Sequence, residues 1–276
     1  MKKPIIFTDL DGTLLDFHTY SFDLALPALA HIKTLEIPLI ICSSKTRAEI
    51  EFYRSKLDNT HPFISENGGG IFIPEGYFNE AVLKGISTES AGNYVLIRLG
   101  ASYNDLREAL GKLRAQGFQV VGFGDMSVDE VSVVTGLSFE EAHMSRERDF
   151  DEPFINEGPK EDVPLILESI QKMQFKYTRG RFFHILGNSD KGKSVEILTQ
   201  LYRKQFSEIT TIALGDNPND VPMLKVVDIP VVVMEHDRTY NQEVLKNFQG
   251  DKKLIRADGV GPEGWNKAVF SLLESS

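Results

Sequence analysis

The chain has 276 residues, enough for a large core or two modest domains, and its apolar and charged content is that of an ordinary globular protein. A net charge of −10 leaves no basic stripe to neutralise phosphates, which argues against nucleic acid as the main partner. No apolar run approaches the roughly 20 residues that span a bilayer, the N-terminal apolar stretch is too short for a signal peptide, and a single cysteine, Cys42, allows no internal disulfide and suits a reducing cytoplasm.

The first element is Lys2-Lys3-Pro4-Ile5-Ile6-Phe7-Thr8, a short apolar run with β-branched and aromatic residues that reads as a buried strand. It stops at Asp9-Leu10-Asp11-Gly12-Thr13, where Gly12 makes a turn available. In an open α/β sheet, ligands bind at the carboxyl ends of strands. Two carboxylates there, Asp9 and Asp11, repel each other unless a cation sits between them, and an oxygen-rich acidic site suits Mg²⁺. Taken alone, Asp-Gly can also be no more than a turn.

Phe22 to Leu35 reads as a helix with Pro27 near its start, and Ile37-Pro38-Leu39-Ile40-Ile41-Cys42 as a second buried strand. Strand, helix and strand make a βαβ unit, hence a parallel sheet. Ser43-Ser44-Lys45-Thr46-Arg47 follows, then a helix with Ile50, Tyr53 and Leu57 on one face. Ser43 or Ser44 can be the N-cap, or can meet an anion at the helix N-terminus. A thiol-phosphatase nucleophile would need Arg five residues beyond Cys42, where Ala48 stands, so Cys42 reads as a small buried residue. Phe63-Ile64-Ser65 and Ile71-Phe72-Ile73 flank Asn67-Gly68-Gly69-Gly70, a hairpin signal whose backbone N–H groups can also contact a substrate.

From about Val82 the pattern changes to strand (Tyr94–Leu99), helix (Tyr103, Leu106, Leu110, Leu113), strand (Gly117–Phe123), helix opened by the Ser138/Glu141 capping box, helix (Leu165–Phe175) and strand (Arg181–Leu186). This reads as a separate α+β unit inserted in the sheet. Arg146, Arg148, Arg179 and Arg181 are its candidates to meet an anionic group, because Arg binds carboxylates bidentately, and His184 is either a ligand or a satisfied core histidine.

Gly187-Asn188-Ser189-Asp190-Lys191-Gly192-Lys193-Ser194 satisfies the P-loop pattern, with a strand before it and a helix carrying Val195, Leu198 and Tyr202 after it. A nucleoside triphosphatase is therefore the rival reading. It leaves Asp9, Asp11 and the Ser43 strand end unused, and Gly215-Asp216-Asn217-Pro218-Asn219-Asp220 only half used.

Phe7-Thr8-Asp9-Leu10-Asp11-Gly12-Thr13, Ser43 at a strand end, Asp190-Lys191-Gly192 and Gly215-Asp216-Asn217-Pro218-Asn219-Asp220 together resemble, in order, the four motifs of the haloacid dehalogenase-like (HAD) phosphatases. The resemblance implies a Rossmann-like α/β parallel-sheet core at 1–81 and 188–276 with an α/β cap inserted at 82–187. It implies Asp9 as nucleophile, Asp11 as general acid and base with its main-chain carbonyl on Mg²⁺, and Ser43 and Lys191 on the phosphoryl group. Asp216 would be a direct Mg²⁺ ligand and Asp220 its support.

The insert is similar to that of the Cof-like branch. Ser65-Glu66-Asn67-Gly68-Gly69, Ser145-Arg146-Glu147-Arg148-Asp149-Phe150 and Gly180-Arg181-Phe182-Phe183-His184 resemble the mannosyl-3-phosphoglycerate phosphatase family. That likeness implies a small phosphorylated sugar or glycosyl-glycerate substrate, met by Ser44, Asn67, Gly68, Arg146, Arg181 and His184. Glucosyl-3-phosphoglycerate and broader sugar-phosphate hydrolysis are the alternatives it leaves open.

Overall fold

The computed structural model describes residues 2–251 and 253–274. In chain order the strands are β1 (Lys3–Thr8), β2 (Leu39–Cys42), β3 (Phe63–Ser65), β4 (Gly70–Pro74), β5 (Glu89–Ala91), β6 (Tyr94–Arg98) and β7 (Val120–Gly122). They continue with β8 (Asp151–Asn156), β9 (Lys176–Arg179), β10 (Phe183–Leu186), β11 (Ile209–Gly215), β12 (Ile229–Met234) and β13 (Ile255–Val260). The helices are α1 (Leu26–Thr34), α2 (Arg47–Lys56), α3 (Glu80–Leu83), α4 (Tyr103–Ala115), α5 (Val128–Thr135) and α6 (Phe139–Ser145), then α7 (Val163–Lys172), α8 (Lys191–Gln205), α9 (Val221–Lys225), α10 (Gln242–Asn247) and α11 (Gly261–Glu274).

Among the described residues the strands form two sheets. The larger runs β13-β12-β11-β1-β2-β3-β4-β6-β5, and the smaller β7-β8-β10-β9. In the larger sheet β1 lies between β11 and β2, parallel to both, and β12 and β13 extend the parallel run. Strands buried on both faces need apolar residues at every position rather than at alternate ones. β1 does this. Ile6 packs with α1, α2 and α11 on one face, while Ile5 and Phe7 pack with α8 and α9 on the other. Because β1, β2 and β11 run parallel, the chain leaves all three at the same edge, and Asp9, Ser43 and Asp216 follow directly.

The expected hairpin is present, with β3 antiparallel to β4, but its connection is a short 3-10 turn over Glu66–Gly68 with Glu66 and Asn67 at positive φ. Gly68 has φ +90°, and a Cβ there would lie 2.3 Å from the Asp190 carbonyl oxygen, so the start of α8 sits directly on this turn.

Two features of the insert differ from the sequence reading. Strand Tyr94–Arg98, assigned there to the insert, pairs with β4 and β5 and so belongs to the larger sheet. The boundary therefore falls near Gly100 rather than at residue 82. The smaller sheet also gains β8 and β9, which the apolar pattern did not reveal, and it is antiparallel throughout. Its β10 is flanked by β8 and β9. α4 and α7 cover one face through Leu106, Leu110, Ile166 and Ile170, while α5 and α6 bring Val131 and Ala142 to a second cluster with Phe123. That second cluster includes Tyr20 from the larger domain, so the two domains meet there. Phe150, fully buried, joins the core of the larger domain in a slot floored by Gly69, Gly70 and Gly100, where a Cβ on any of the three would collide with its ring or Cβ. No helix among the described residues is long and apolar enough to cross a membrane.

Candidate active site

Asp9 follows β1 and is buried, its backbone N–H donating to the Leu214 carbonyl at 3.0 Å, so the two motif loops are stitched together. Lys191 opens α8 with its side chain fully buried. Its Nζ donates to Asp9 Oδ1 at 2.7 Å and to Asp220 Oδ1 at 2.6 Å. Asp220 is buried in the turn after β11. Its second oxygen accepts the N–H groups of Asp216 and Asn217, so its orientation is fixed from both sides. Asp216 Oδ1 accepts from the Thr13 hydroxyl at 2.7 Å, which ties the fourth motif back to the first.

Asp9, Asp216 and Asp220 bring one carboxylate oxygen each within 4.8 Å of one another. Burial pushes the Asp9 carboxyl up to about 7 against the pull of Lys191, with Asp220 and Asp11 adding to the rise. Asp216 is pushed well up by burial and by the charges of Asp220 and Asp9. Three buried acids facing one buried ammonium leave an excess of negative charge, and a hard divalent cation taking carboxylate oxygens offsets it. These residues therefore fit Mg²⁺.

Asp11 turns its carboxylate to Lys45, 3.2 Å away, and Lys45 is held in turn by Glu49 at 3.3 Å. Burial raises the Asp11 pKa more than Lys45 lowers it. Lys45 is itself pushed up, the charges of Asp11 and Glu49 outweighing its burial. Ser43 is fully buried at the end of β2, its Oγ accepting the Lys45 N–H at 3.3 Å. Neither Ser43 nor Ser44 caps α2. Thr46 does, in a capping box with Glu49. Cys42 is buried and burial pushes its thiol up, which suits a packed side chain and not a nucleophile.

A cavity of about 130 Å³ opens above Asp9 and Asp11, walled by both domains. Ser44 and Lys45 line it from the larger domain and Arg148, Arg181 and His184 from the insert. Here the structure redistributes the expected substrate residues. Arg146 does not line the cavity, and its Nε turns to the Phe123 carbonyl at 3.4 Å. Arg148, two residues on, reaches the seam and bonds the Ser44 carbonyl at 2.9 Å, Asp151 at 3.2 Å and the Ser145 carbonyl at 2.8 Å. Arg181 caps α5 by donating to the Val134 and Thr135 carbonyls and pairs with no acid among the described residues, so its charge stays open to the cavity. Arg179 lies over the Phe183 ring and outside the cavity.

His184 is buried, with Nδ1 2.9 Å from Asp151. Burial favours a protonated Asp151, but the positive charges of His184 and Arg148 outweigh it and hold its carboxyl down. Asn67 is buried. It donates to Asp151 at 2.8 Å and accepts from Asn219 at 3.2 Å, linking the fourth motif loop to the insert. Gly68 makes no cavity wall. It is pressed on α8, and its carbonyl accepts from Ser194.

The sequence reading missed Glu66, buried beneath the insert and accepting the N–H groups of Asp149, Phe150 and Asp151. It also missed Lys45 and Glu49. An acid one residue after a strand, and a Lys-x-x-x-Glu pair beginning a helix beside a candidate acid, are the signals that could have found them.

The P-loop rival does not survive. A P-loop follows a parallel strand, whereas β10 is antiparallel to both its neighbours. The N-terminus of α8 is closed by the Asp190 carboxylate, which accepts the Lys193 N–H at 2.9 Å and would repel a phosphate. Lys193 Nζ turns away to Asn188.

Residues 6–95 and 161–244 match the family described as haloacid dehalogenase-like hydrolase. A glucosyl-3-phosphoglycerate/mannosyl-3-phosphoglycerate phosphatase of Methanococcoides burtonii is 47% identical over 273 residues, covering 98% of this chain and 97% of its own. A mannosyl-3-phosphoglycerate phosphatase of Pyrococcus horikoshii is 38% identical, covering 86% of this chain and 94% of its own. A solved Thermoplasma acidophilum structure superposes over 100% of both chains with a TM-score of 0.71 at 14% identity, a likeness of fold. The chain belongs to the haloacid dehalogenase-like hydrolase family.

Proposed function

We propose that the protein is a Mg²⁺-dependent phosphomonoester hydrolase acting on glucosyl- or mannosyl-3-phosphoglycerate through an aspartyl-phosphate. The observation that carries this reading is the buried Lys191 ammonium bonded to Asp9, beside Asp216 and below a two-domain cavity. The names of the full-length relatives support the choice of substrate.

In this mechanism an Asp9 oxygen attacks phosphorus, and the bond from phosphorus to the leaving oxygen breaks. Asp11, its carboxyl pKa raised by burial, protonates the departing alkoxide. The same carboxylate then takes a proton from water as the water oxygen attacks phosphorus, freeing inorganic phosphate and Asp9. Lys191 and the Ser43 hydroxyl hold the phosphoryl oxygens. Asp9, Asp216 and the Asp11 main-chain carbonyl would hold Mg²⁺, with Asp220 orienting the set. When bound, the ion supplies positive charge that offsets repulsion between the phosphate and Asp9.

3-Phosphoglycerate has one free hydroxyl, on C2, so the glycosylated substrate has three arms: phosphate, carboxylate and sugar. Arg181 is the cavity cation assigned to the carboxylate, because its charge is not taken up by an acid among the described residues. Arg148 serves the seam between the domains, and His184 with Asn67 orients Asp151 there. The insert selects the leaving group. The cytoplasm is the proposed compartment, on the grounds of the single buried cysteine.

The test is phosphate release with Mg²⁺ from glucosyl-3-phosphoglycerate, mannosyl-3-phosphoglycerate, simple sugar phosphates and ATP, for the wild type and Asp9→Asn. The expected result is fast release from a glycosyl-phosphoglycerate, stopped by chelation and absent in Asp9→Asn. Release that survives Asp9→Asn would overturn the mechanism.

A further inference from the structure

One wall of the cavity is an aromatic ring that the core does not need. Phe17 stands just beyond the first motif, in the loop Asp16–Ser21. That loop is tightly bonded. Asp16 Oδ1 accepts the N–H groups of His18 and Thr19 and the Thr19 hydroxyl, and the Asp16 and Tyr20 backbone N–H groups close the loop on Ser21 and Asp16. On this rigid base the Phe17 ring stacks on His236 at 4.5 Å between centroids and 15° between planes, with the His18 ring edge-on at 5.1 Å and 90°. The ring is thus fixed in direction by two side chains, one of them from the loop after β12.

Phe17 joins none of the four apolar clusters among the described residues, remains 37% exposed, and lines the same cavity as Asp9 and Asp11. An aromatic ring held rigidly at a wet cavity wall, with no packing duty inside, is a contact surface in search of a flat apolar face. The C–H face of a pyranose ring is such a face. Phe123 and Phe182, edge-to-face at 5.1 Å, add apolar wall from the insert.

We propose that Phe17, braced by His18 and His236, is the stacking surface for the sugar ring of the substrate and so a specificity-determining residue. This rests on the glycosyl-phosphoglycerate reading above and assigns the one arm of the substrate that Lys191 and Arg181 leave unassigned. A phenyl ring has neither donor nor acceptor for the C2 hydroxyl, the position at which glucose and mannose differ. Stacking therefore serves both sugars alike.

The experiment is steady-state phosphate release from glucosyl-3-phosphoglycerate, mannosyl-3-phosphoglycerate and sugar-free 3-phosphoglycerate, for the wild type, Phe17→Ala, Phe17→Tyr and His236→Ala. Phe17→Ala is expected to lower kcat/KM for both glycosyl substrates by roughly tenfold relative to 3-phosphoglycerate, chiefly through KM. Phe17→Tyr is expected to stay near the wild type, and His236→Ala to fall between. Equal loss on all three substrates, or loss on one sugar only, overturns the stacking assignment. A wild type that hydrolyses other phosphomonoesters but neither glycosyl ester overturns the substrate reading, and this proposal with it.

Discussion

The ammonium of Lys191 and Oδ1 of Asp220 are 2.6 Å apart with neither side chain exposed. Taking one partner from a buried ion pair leaves an uncompensated charge and costs about 3–5 kcal/mol. Lys191 neutralises Asp9 as well, so its loss leaves the acids of the cluster facing one another. Lys191→Met is expected to lower the melting temperature markedly and to cut kcat by at least about a hundredfold. Calorimetry and phosphate release on one preparation would check both, and a variant with wild-type kcat would remove Lys191 from the reaction.

Arg148 and Arg146 should behave oppositely. Arg148 is buried and bonded to Asp151 and to the Ser44 carbonyl, so Arg148→Met should destabilise the fold by about 3–5 kcal/mol. Arg146 reaches only a carbonyl at 3.4 Å and lies off the cavity, so Arg146→Ala should change stability by under about 1 kcal/mol and leave KM alone. Denaturant melts of the two variants decide it. A large rise in KM for Arg146→Ala would mean that the insert closes further than in this structure.

Lys193→Ala separates the two motif readings of residues 187–194. The side chain bonds Asn188 and plays no part in the site, so phosphate release from the glycosyl ester should persist. Loss of all turnover in this variant, with ATP as the favoured substrate, would restore the P-loop reading.

His61 carries a pH dependence of stability distant from the acids. Burial and the nearby Arg54 guanidinium lower its pKa from 6.5 to about 4, and its Nδ1 meets the Tyr77 hydroxyl at 2.8 Å. Between these two values the unfolded chain binds a proton that the folded chain refuses. This contribution is therefore complete above pH 6.5 and drains away as the pH falls towards 4. His61→Gln should flatten that part of the stability–pH curve relative to the wild type, as read by urea melts across the window. Parallel curves would remove His61 from the acid response.

The acids and Lys191 were legible because each stands where an apolar strand ends or a helix begins, and such junctions mark themselves in sequence. β8 did not mark itself. Its Asp151 and Glu152 are fully buried, Asp151 held by His184 and Asn67 and Glu152 Oε1 by Arg107, so the strand carries charge where alternation would call for apolar residues. The choice between Arg146 and Arg148 turns on where α6 stops. Arg146 is its C-cap, and the chain swings before Arg148, which no periodicity encodes. β6 read correctly as strand-like while β5 gave no sign of itself, and which sheet a short strand joins is a tertiary outcome that its own residues do not record. The run of glycines after Asn67 suggested a ligand contact. Gly68 instead admits the start of α8, and Gly69 and Gly70 admit Phe150.

That slot for Phe150 limits how the insert can move. The two connecting chains touch where a Cβ on Gly187 would lie 2.4 Å from the Ala101 nitrogen, and Phe150 is plugged into the larger domain beside them under Gly100. The insert is thus pinned along one edge at neighbouring points, and its other cluster, with Phe182 and Leu137, meets the larger domain through Tyr20, while Thr46 and Tyr53 bond α6. Sliding or lifting the insert whole would drag Phe150 out of its socket and strip a fully buried aromatic ring into water, at a cost of about 2–3 kcal/mol.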